Sequence, residues 1–389
     1  MTRWAALLAV LALAGCDAAS QTAPSSAPQT PAASAPAGPP PDALFYTKAG
    51  SLYVSAPPGS PGRKLTDGPA DAQPAPSPDL SRVAFVRKAA ISDVGGELWV
   101  LDLSAQLQPA GSPRRLVDPG ALPPGLLTYP RWSPTGERIA FLDNRTEGMV
   151  AGGTLLVADA DTGALAPRPP RPPETAWAPF AEPNFAWAPD GSRIAWRDHR
   201  SDVRPTNVNA LDAATGQSVP LATGTNASSV AFTADSQTVL FTNGEAPPDF
   251  PLRAGGVYSV PASDAAGPPS AVFTATERFL DDLAVLDSGA VAFTSSVPNR
   301  PGTATIQVLD QGSATPRTVV SDLGSTPVCV ETPQGAGVCL DVPHPAWGGG
   351  DTLAYLDNSE EPALVVTDSG NRSPQRVDTG VQSFAWAPR

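Results

Sequence analysis

Apolar residues along this chain come in short runs separated by clusters of Pro, Gly, Asp and Ser, and the runs repeat a single phrase. The phrase is a small residue, an aromatic or apolar one, a turn, and then a run that closes on an aromatic. It reads Ala75-Pro76-Ser77-Pro78-Asp79 followed by Arg82-Val83-Ala84-Phe85, and Arg131-Trp132-Ser133-Pro134-Thr135-Gly136 followed by Arg138-Ile139-Ala140-Phe141. The clearest copy is Ala186-Trp187-Ala188-Pro189-Asp190-Gly191 followed by Arg193-Ile194-Ala195-Trp196. Weaker copies start at Ala231-Phe232, Ala284-Val285 and Ala346-Trp347, and a half copy, Phe384-Ala385-Trp386-Ala387-Pro388, stands near the last residue. With register marks at 76, 132, 187, 232, 285, 347 and 386, the steps are 56, 55, 45, 53, 62 and 39 residues.

Helical repeats of this length would place apolar residues at i, i+3, i+4 and i+7, and these do not. Each unit instead offers four short runs rich in β-branched and aromatic residues between turn-forming clusters. The second unit predicts strands at 75–77, 82–87, 97–103 and 113–117, the third at 130–133, 138–142, 154–159 and about 164–168. Four strands per unit at this period is the pattern of a β-propeller blade. The run Phe384-Ala385-Trp386 is an innermost strand with no later strands after it. Ala43-Leu44-Phe45-Tyr46 and Ser51-Leu52-Tyr53-Val54 are later strands with no innermost strand before them. Joining the two completes one blade and closes the ring, which removes an open edge. The expectation is an all-β propeller of seven four-stranded blades. Six is the alternative, if the unit at mark 285 or 347 is not a full blade.

The phrase resembles the repeat of the TolB-like β-propellers, in which an aromatic-Ser-Pro-Asp-Gly turn leads into Arg-Ile-Ala-Phe. Trp132-Ser133-Pro134, Trp187-Ala188-Pro189-Asp190-Gly191 and Trp386-Ala387-Pro388 carry the resemblance, which covers about 43–389. The resemblance implies a propeller with WD-like repeats. Well-known members of that family have six blades and a separate N-terminal α/β domain, and this sequence departs from them on both points. The recurrent Trp132, Trp187, Trp347 and Trp386 are expected to pack between blades.

Residues 1–15 read as a signal peptide: Arg3, an apolar run from Trp4 to Ala14, then small residues, too short to span a membrane. Leu13-Ala14-Gly15-Cys16 looks like a bacterial lipobox, which would make Cys16 a lipidated N-terminus held by two acyl chains. Residues 17–42 are nearly all Ala, Pro, Ser, Gln and Thr and predict an extended tether, followed by the propeller at 43–389. The expected location is the outer face of a bacterial membrane, with the outer membrane left open as the alternative.

Cys329 and Cys339 flank a turn, and in an exported chain such a pair reads as a disulfide. A metal centre there would have only His344 to add. The pair lies in the 62-residue step, so it would staple an insertion.

The net charge is −13, and −14 once residues 1–15 and their Arg3 are removed. Such acidity disfavours nucleic acid as a partner. Catalysis has little to draw on. The chain holds two histidines, His199 and His344, and no Gly-x-Ser-x-Gly elbow. His199 follows Asp198 directly, and neighbours in an extended strand point to opposite faces. Asp159-Ala160-Asp161-Thr162-Gly163 suggests a calcium loop, but Asp212-Ala213-Ala214-Thr215-Gly216 and Asp368-Ser369-Gly370 repeat the step, which favours turn chemistry. No catalytic residue, metal or cofactor is therefore expected. The segments larger than the repeat needs are 88–96, 143–153, 167–183, 198–205, 243–256 and 321–344. Within them Arg168, Arg171, His199 and Phe250 are the candidate binding residues. The expected function is a lipid-anchored module that binds or scaffolds an envelope protein. The alternative is an enzyme or a small-ligand (sugar or peptide) sensor with its site at the mouth of the central channel.

Overall fold

The computed structural model describes residues 42–387, except 94, 123–125, 144–152, 168–173, 176–184, 198–206, 244–254, 264–266, 298–299, 301, 322, 324–327, 332–336, 341–344 and 358–362. Among the described residues, seven four-stranded antiparallel sheets follow one another as the blades of a ring. Their innermost strands are Val381–Trp386 in blade 1, Asp71–Pro76 in blade 2, Leu127–Trp132 in blade 3 and Phe185–Trp187 in blade 4. Blades 5, 6 and 7 begin with Ala227–Phe232, Phe279–Val285 and Ala346–Gly348. The count is seven, and the weak units at marks 285 and 347 are both complete blades.

Blade 1 is the split one. Leu44–Lys48 pairs antiparallel with Val381–Trp386, with Leu44 opposite Trp386 and Tyr46 opposite Phe384. Ser51–Ser55 and Arg63–Lys64 complete the sheet. Two further ties bind this blade to its neighbour: the Tyr46 hydroxyl and the Lys48 ammonium both donate to Asp378 of blade 7, at 2.8 and 2.5 Å.

The strands read as nearly continuous apolar runs because both faces of every blade are covered. Along Arg82–Arg87, Val83 and Phe85 face the core shared with blade 1, and Ala84 faces the core shared with blade 3. In Arg138–Asp143, Ile139 and Phe141 face blade 2, whereas Ala140 and Leu142 face blade 4. Among the described residues, the buried apolar side chains form seven clusters, each shared by two adjacent blades, and together they account for all seven joints. The repeat phrase is thus a packing rule: a large residue toward one neighbour alternates with alanine or leucine toward the other.

Two outer strands are shorter than expected, and the one expected at 113–117 in blade 2 is reduced to Arg114–Arg115. In blade 3 the outer strand expected at about 164–168 shrinks to a bridge between Ala158 and Leu165, and a two-residue strand, Glu174–Thr175, pairs further on. The cause is visible in the sequence: Pro167, Pro169, Pro170, Pro172 and Pro173 have no N–H to donate to a ladder. The 62-residue step is explained by a two-stranded sheet, Val328–Glu331 with Gly337–Leu340, inserted between blades 6 and 7.

Candidate functional site: the long-loop face and the channel wall

Strand direction alternates within each meander, so the connections sort onto two faces. The turns between first and second strands, and between third and fourth, lie on one face. The second-to-third loops and the crossings to the next blade lie on the other. Each of 88–96, 143–153, 198–205, 243–256 and 321–344 connects strand ends on that second face, and 167–183 finishes there. The described strand ends that bound five of these six segments therefore share one face of the ring, while 167–183 starts in a third-to-fourth connection.

The short-turn face is closed by side chains that serve their own turns. The Asp79 carboxylate accepts from the Ser77 hydroxyl at 2.7 Å and the Ser81 amide at 3.1 Å, and Asp235 does the same for Thr233 and Gln237. Asp159 Oδ1 accepts from the Thr162 amide and hydroxyl, each at 2.8 Å, and Asp212 treats Thr215 alike. The Thr162 amide, with its hydroxyl, holds the Asp159 carboxyl below the usual range, and the Thr215 amide does so at Asp212. These carboxylates serve turns, as the repeated step predicts. Gly163 and Gly216 take the left-handed conformation at φ 72°, whereas in the corresponding turn of blade 7 that conformation falls on Asn371 and not on Gly370. Beside Asp79 lies a cleft of about 560 Å³ lined by Arg82, Glu137, Arg138 and Asp161 among others. Arg82 already bridges to Asp161 at 2.6 Å and lies 4.7 Å from the centre of the Trp132 ring, so it fastens blade 2 to blade 3.

Deeper in the ring, the repeated tryptophans do more than pack. Trp132 Nε1 donates to the Ala75 carbonyl at 2.7 Å, Trp187 Nε1 to Arg131 at 3.1 Å and Trp386 Nε1 to Ala346 at 3.1 Å. Each acceptor is the residue just before the register mark of the preceding blade. Trp347 is the exception, its Nε1 buried without a hydrogen-bond partner among the described residues.

Nearer the long-loop face, the innermost strands carry bulges that turn backbone amides across the joints. Gln73, Tyr129 and Asp282 occupy the left-handed region at φ 51°, 53° and 49°. The Gln73 amide donates to Ser383 Oγ at 3.0 Å, the Tyr129 amide to Gln73 Oε1 at 2.7 Å and the Leu283 amide to Ser229 Oγ at 3.1 Å. Side-chain oxygens of one blade thereby satisfy amides that a bulge frees in the next.

The sequence reading missed Asp281. It lies in the innermost strand of blade 6, only 7 % exposed, and burial together with the neighbouring Asp282 carboxylate pushes its pKa up to about 7. Arg197 of blade 4 and the Ser229 hydroxyl pull the other way and lose. A signal was present: two adjacent acids interrupt the run Phe279-Leu280-Asp281-Asp282-Leu283-Ala284-Val285.

Of the sequence-predicted site residues, Cys16, Arg168, Arg171, His199 and Phe250 lie outside the described residues, as does His344. Cys329 and Cys339 stand directly opposite each other in the register of the inserted hairpin.

No protein-family model and no curated protein sequence matches the chain. Solved structures do. The tricorn protease is similar at 10 % identity with a TM-score of 0.57, over 89 % of this chain; this chain spans about a third (34 %) of that one. The β-propeller domain of the Trilobed protease from Pyrococcus furiosus is similar at 12 % identity, TM-score 0.52, over 84 % of this chain and 86 % of that one. TolB from Acinetobacter baumannii is similar at 16 % identity, TM-score 0.49, over 80 % and 67 %. At such identities what the likeness to the two proteases establishes is a shared fold, the β-propeller.

Proposed function

We propose that this chain is an exported, lipid-anchored ring that binds an envelope protein through its long-loop face and performs no reaction itself. The observation that carries this reading is the inequality of the two faces. One is closed by short Asp-Ser and Asp-Thr turns, while the strand ends that bound five of the six over-long segments lie on the other, and loops held on a rigid scaffold are where recognition residues concentrate. That face also shows apolar groups: Ile91 is 49 % exposed and Leu126 36 %. The two belong to neighbouring segments joined by the Gly96–Leu127 bridge. The Ile91 loop is held in shape by Lys88, whose ammonium donates to the Ile91 and Asp93 carbonyls at 2.6 and 2.8 Å. A preshaped apolar tip suits a protein surface, because little ordering entropy remains to be lost on binding.

In this reading Cys16 carries the lipid, residues 17–42 hold the ring away from the membrane, and a Cys329–Cys339 disulfide braces the inserted hairpin. Crosslinking the anchored protein in cells, with a Cys16→Ala form as control, tests it. An envelope protein recovered with the anchored form, and lost when Ile91 is changed to Asp, is the expected result. Capture that is absent, or indifferent to both changes, overturns the reading. The polar group formed by Arg197, Asp281 and Asp282 near the channel supports a second reading, a small-ligand site there. It predicts ligand binding that Asp281→Asn abolishes and Ile91→Asp leaves intact.

A further inference from the structure

A propeller ring leaves the outermost strand of each blade as an edge, a row of backbone N–H and C=O groups open to pairing with another chain. Six of the seven outermost strands carry a charge or a proline. Blade 1 ends at Arg63–Lys64, blade 2 at Arg114–Arg115 and blade 3 at Glu174–Thr175, two residues each. Ser218–Ala222 of blade 4 contains Pro220, Arg317–Val320 of blade 6 opens on Arg317, and Gln375–Thr379 of blade 7 holds Arg376 and Asp378. Ser270–Ala275 of blade 5 has neither device. It is six residues long, uncharged and free of proline.

A second difference lies in the bulge. The outer strands of blades 4 to 7 each carry one extra residue opposite the third strand, at Leu221, Val272, Val319 and Val377. In blades 4 and 6 the extra residue is turned inward, leaving Leu221 0 % and Val319 6 % exposed, and Val377 packs on the core shared by blades 7 and 1. In blade 5 the inward place is taken by Phe273, whose ring stacks on Phe293 of blade 6 at 5.7 Å, and Val272 is left 42 % exposed.

We propose that Ser270–Ala275 is a docking edge for a second copy of this chain, the two outer strands pairing antiparallel about a two-fold axis near Val272. The occupant follows from charge. Two-fold pairing sets an edge against itself. Arg63–Lys64 or Arg114–Arg115 would then meet its own positive charge, and like charges directly opposed are destabilising. Pro220 would interrupt a ladder in blade 4. Ser270–Ala275 meets only uncharged residues, and Val272 meets Val272, with Cβ atoms about 5 Å apart. The net charge of −13 opposes association at long range, but it is screened beyond about 8 Å at physiological ionic strength, and this rim segment adds nothing to the repulsion.

Sedimentation velocity on the full chain in detergent, over a range of concentrations, tests the proposal. The expected result is a dimer fraction that rises with concentration, is lost in Val272→Lys and is kept in Ile91→Lys. A wild-type chain that stays monomeric up to roughly 100 μM overturns it, as does a Val272→Lys chain that dimerises as the wild type does. A second readout uses cysteines: mild oxidation should trap a covalent dimer of Val272→Cys and none of Thr318→Cys, which is exposed on the outer strand of blade 6. Equal trapping of the two overturns the proposal. Should Val272→Lys not fold, Thr274→Lys, exposed on the same strand, replaces it and is read the same way.

Discussion

The backbone amide of Tyr129 donates to the side-chain oxygen of Gln73 across the joint between blades 2 and 3, at 2.7 Å. The bulge that places Tyr129 at φ 53° takes its amide out of its own sheet, and a glutamine from the neighbouring blade receives it. Gln73 in turn donates its own amide to Ser383 Oγ of blade 1 at 3.0 Å. One residue therefore links three consecutive blades. Gln73→Ala should cost about 1–3 kcal/mol, the usual penalty for leaving a partly buried donor without an acceptor. Chemical denaturation would register it as a lower midpoint at unchanged slope.

Trp132 and Trp347 occupy the same repeat position but differ in one hydrogen bond. Trp132 Nε1 reaches the Ala75 carbonyl, while Trp347 Nε1 has no partner among the described residues. Trp→Phe removes the donor and some volume at both sites. Trp132→Phe should be the more destabilising by about 1–2 kcal/mol, because only there is a buried carbonyl stranded. Equal losses in thermal melts of the two variants would show that volume alone matters.

Asp281 makes stability depend on pH in a defined direction. Its folded pKa of about 7 lies above the ordinary value of 3.8, so between those limits the native chain holds a proton that the unfolded chain has released. The Asp281 contribution to stability therefore falls as pH rises from about 4 to about 7 and is level beyond. The turn carboxylates at Asp159, Asp212 and Asp235, whose pKa values are lowered, act below that window: their contribution is lost as pH falls through the carboxylate range. Asp281→Asn should flatten the dependence between pH 4 and 7 specifically. Denaturation midpoints across that range check it, and an unchanged slope would remove Asp281 as the cause.

Gly163 closes the Asp159 turn at φ 72°, and a Cβ there would run into the Leu116 carbonyl of blade 2. Gly163→Ala should therefore be destabilising by more than the roughly 1 kcal/mol typical of a left-handed glycine at an open turn. Gly224→Ala is the matched control, at φ 68° with nothing within 4 Å of where its Cβ would stand. The difference between the two melting temperatures isolates the collision.

Cys329 and Cys339 face each other in register, which is the pairing a cross-strand disulfide requires. Thiol labelling of the denatured, non-reduced mature protein should leave both unmodified and find them only after reduction. Labelling without reductant would show that the hairpin is unbridged.

The sequence alone determined the architecture, because a propeller is repetitive and its packing rule is local. Apolar residues run along each second strand, as in Ile139-Ala140-Phe141-Leu142, since both faces are buried against neighbours, and in blades 2, 3, 4, 6 and 7 an alanine alternates with larger residues. The split blade was legible for the same reason: Phe384-Ala385-Trp386 reads as an innermost strand and Leu44-Phe45-Tyr46 as a second strand of the same phrase, and the two pair. The turn role of Asp159 and Asp212 was equally readable, since an Asp accepting amides two and three residues on needs nothing distant.

The tertiary structure decided what depends on residues far apart in the chain. Gln73 and Tyr129 are 56 positions apart, and nothing local marks either as left-handed or as the other's partner. Asp281 carries a raised pKa chiefly because blade packing excludes water around it, with its chain neighbour Asp282 adding to the rise, while Arg197 arrives from two blades away. The exposure of Val272 likewise reflects Phe273 having taken the inward place against Phe293, a choice made by the shape of the next blade. Sorting the long connections onto one face needed strand direction as well as strand position. Spacing along the chain reports period, whereas face, burial and charge environment are set by whichever neighbours the closed ring brings into contact.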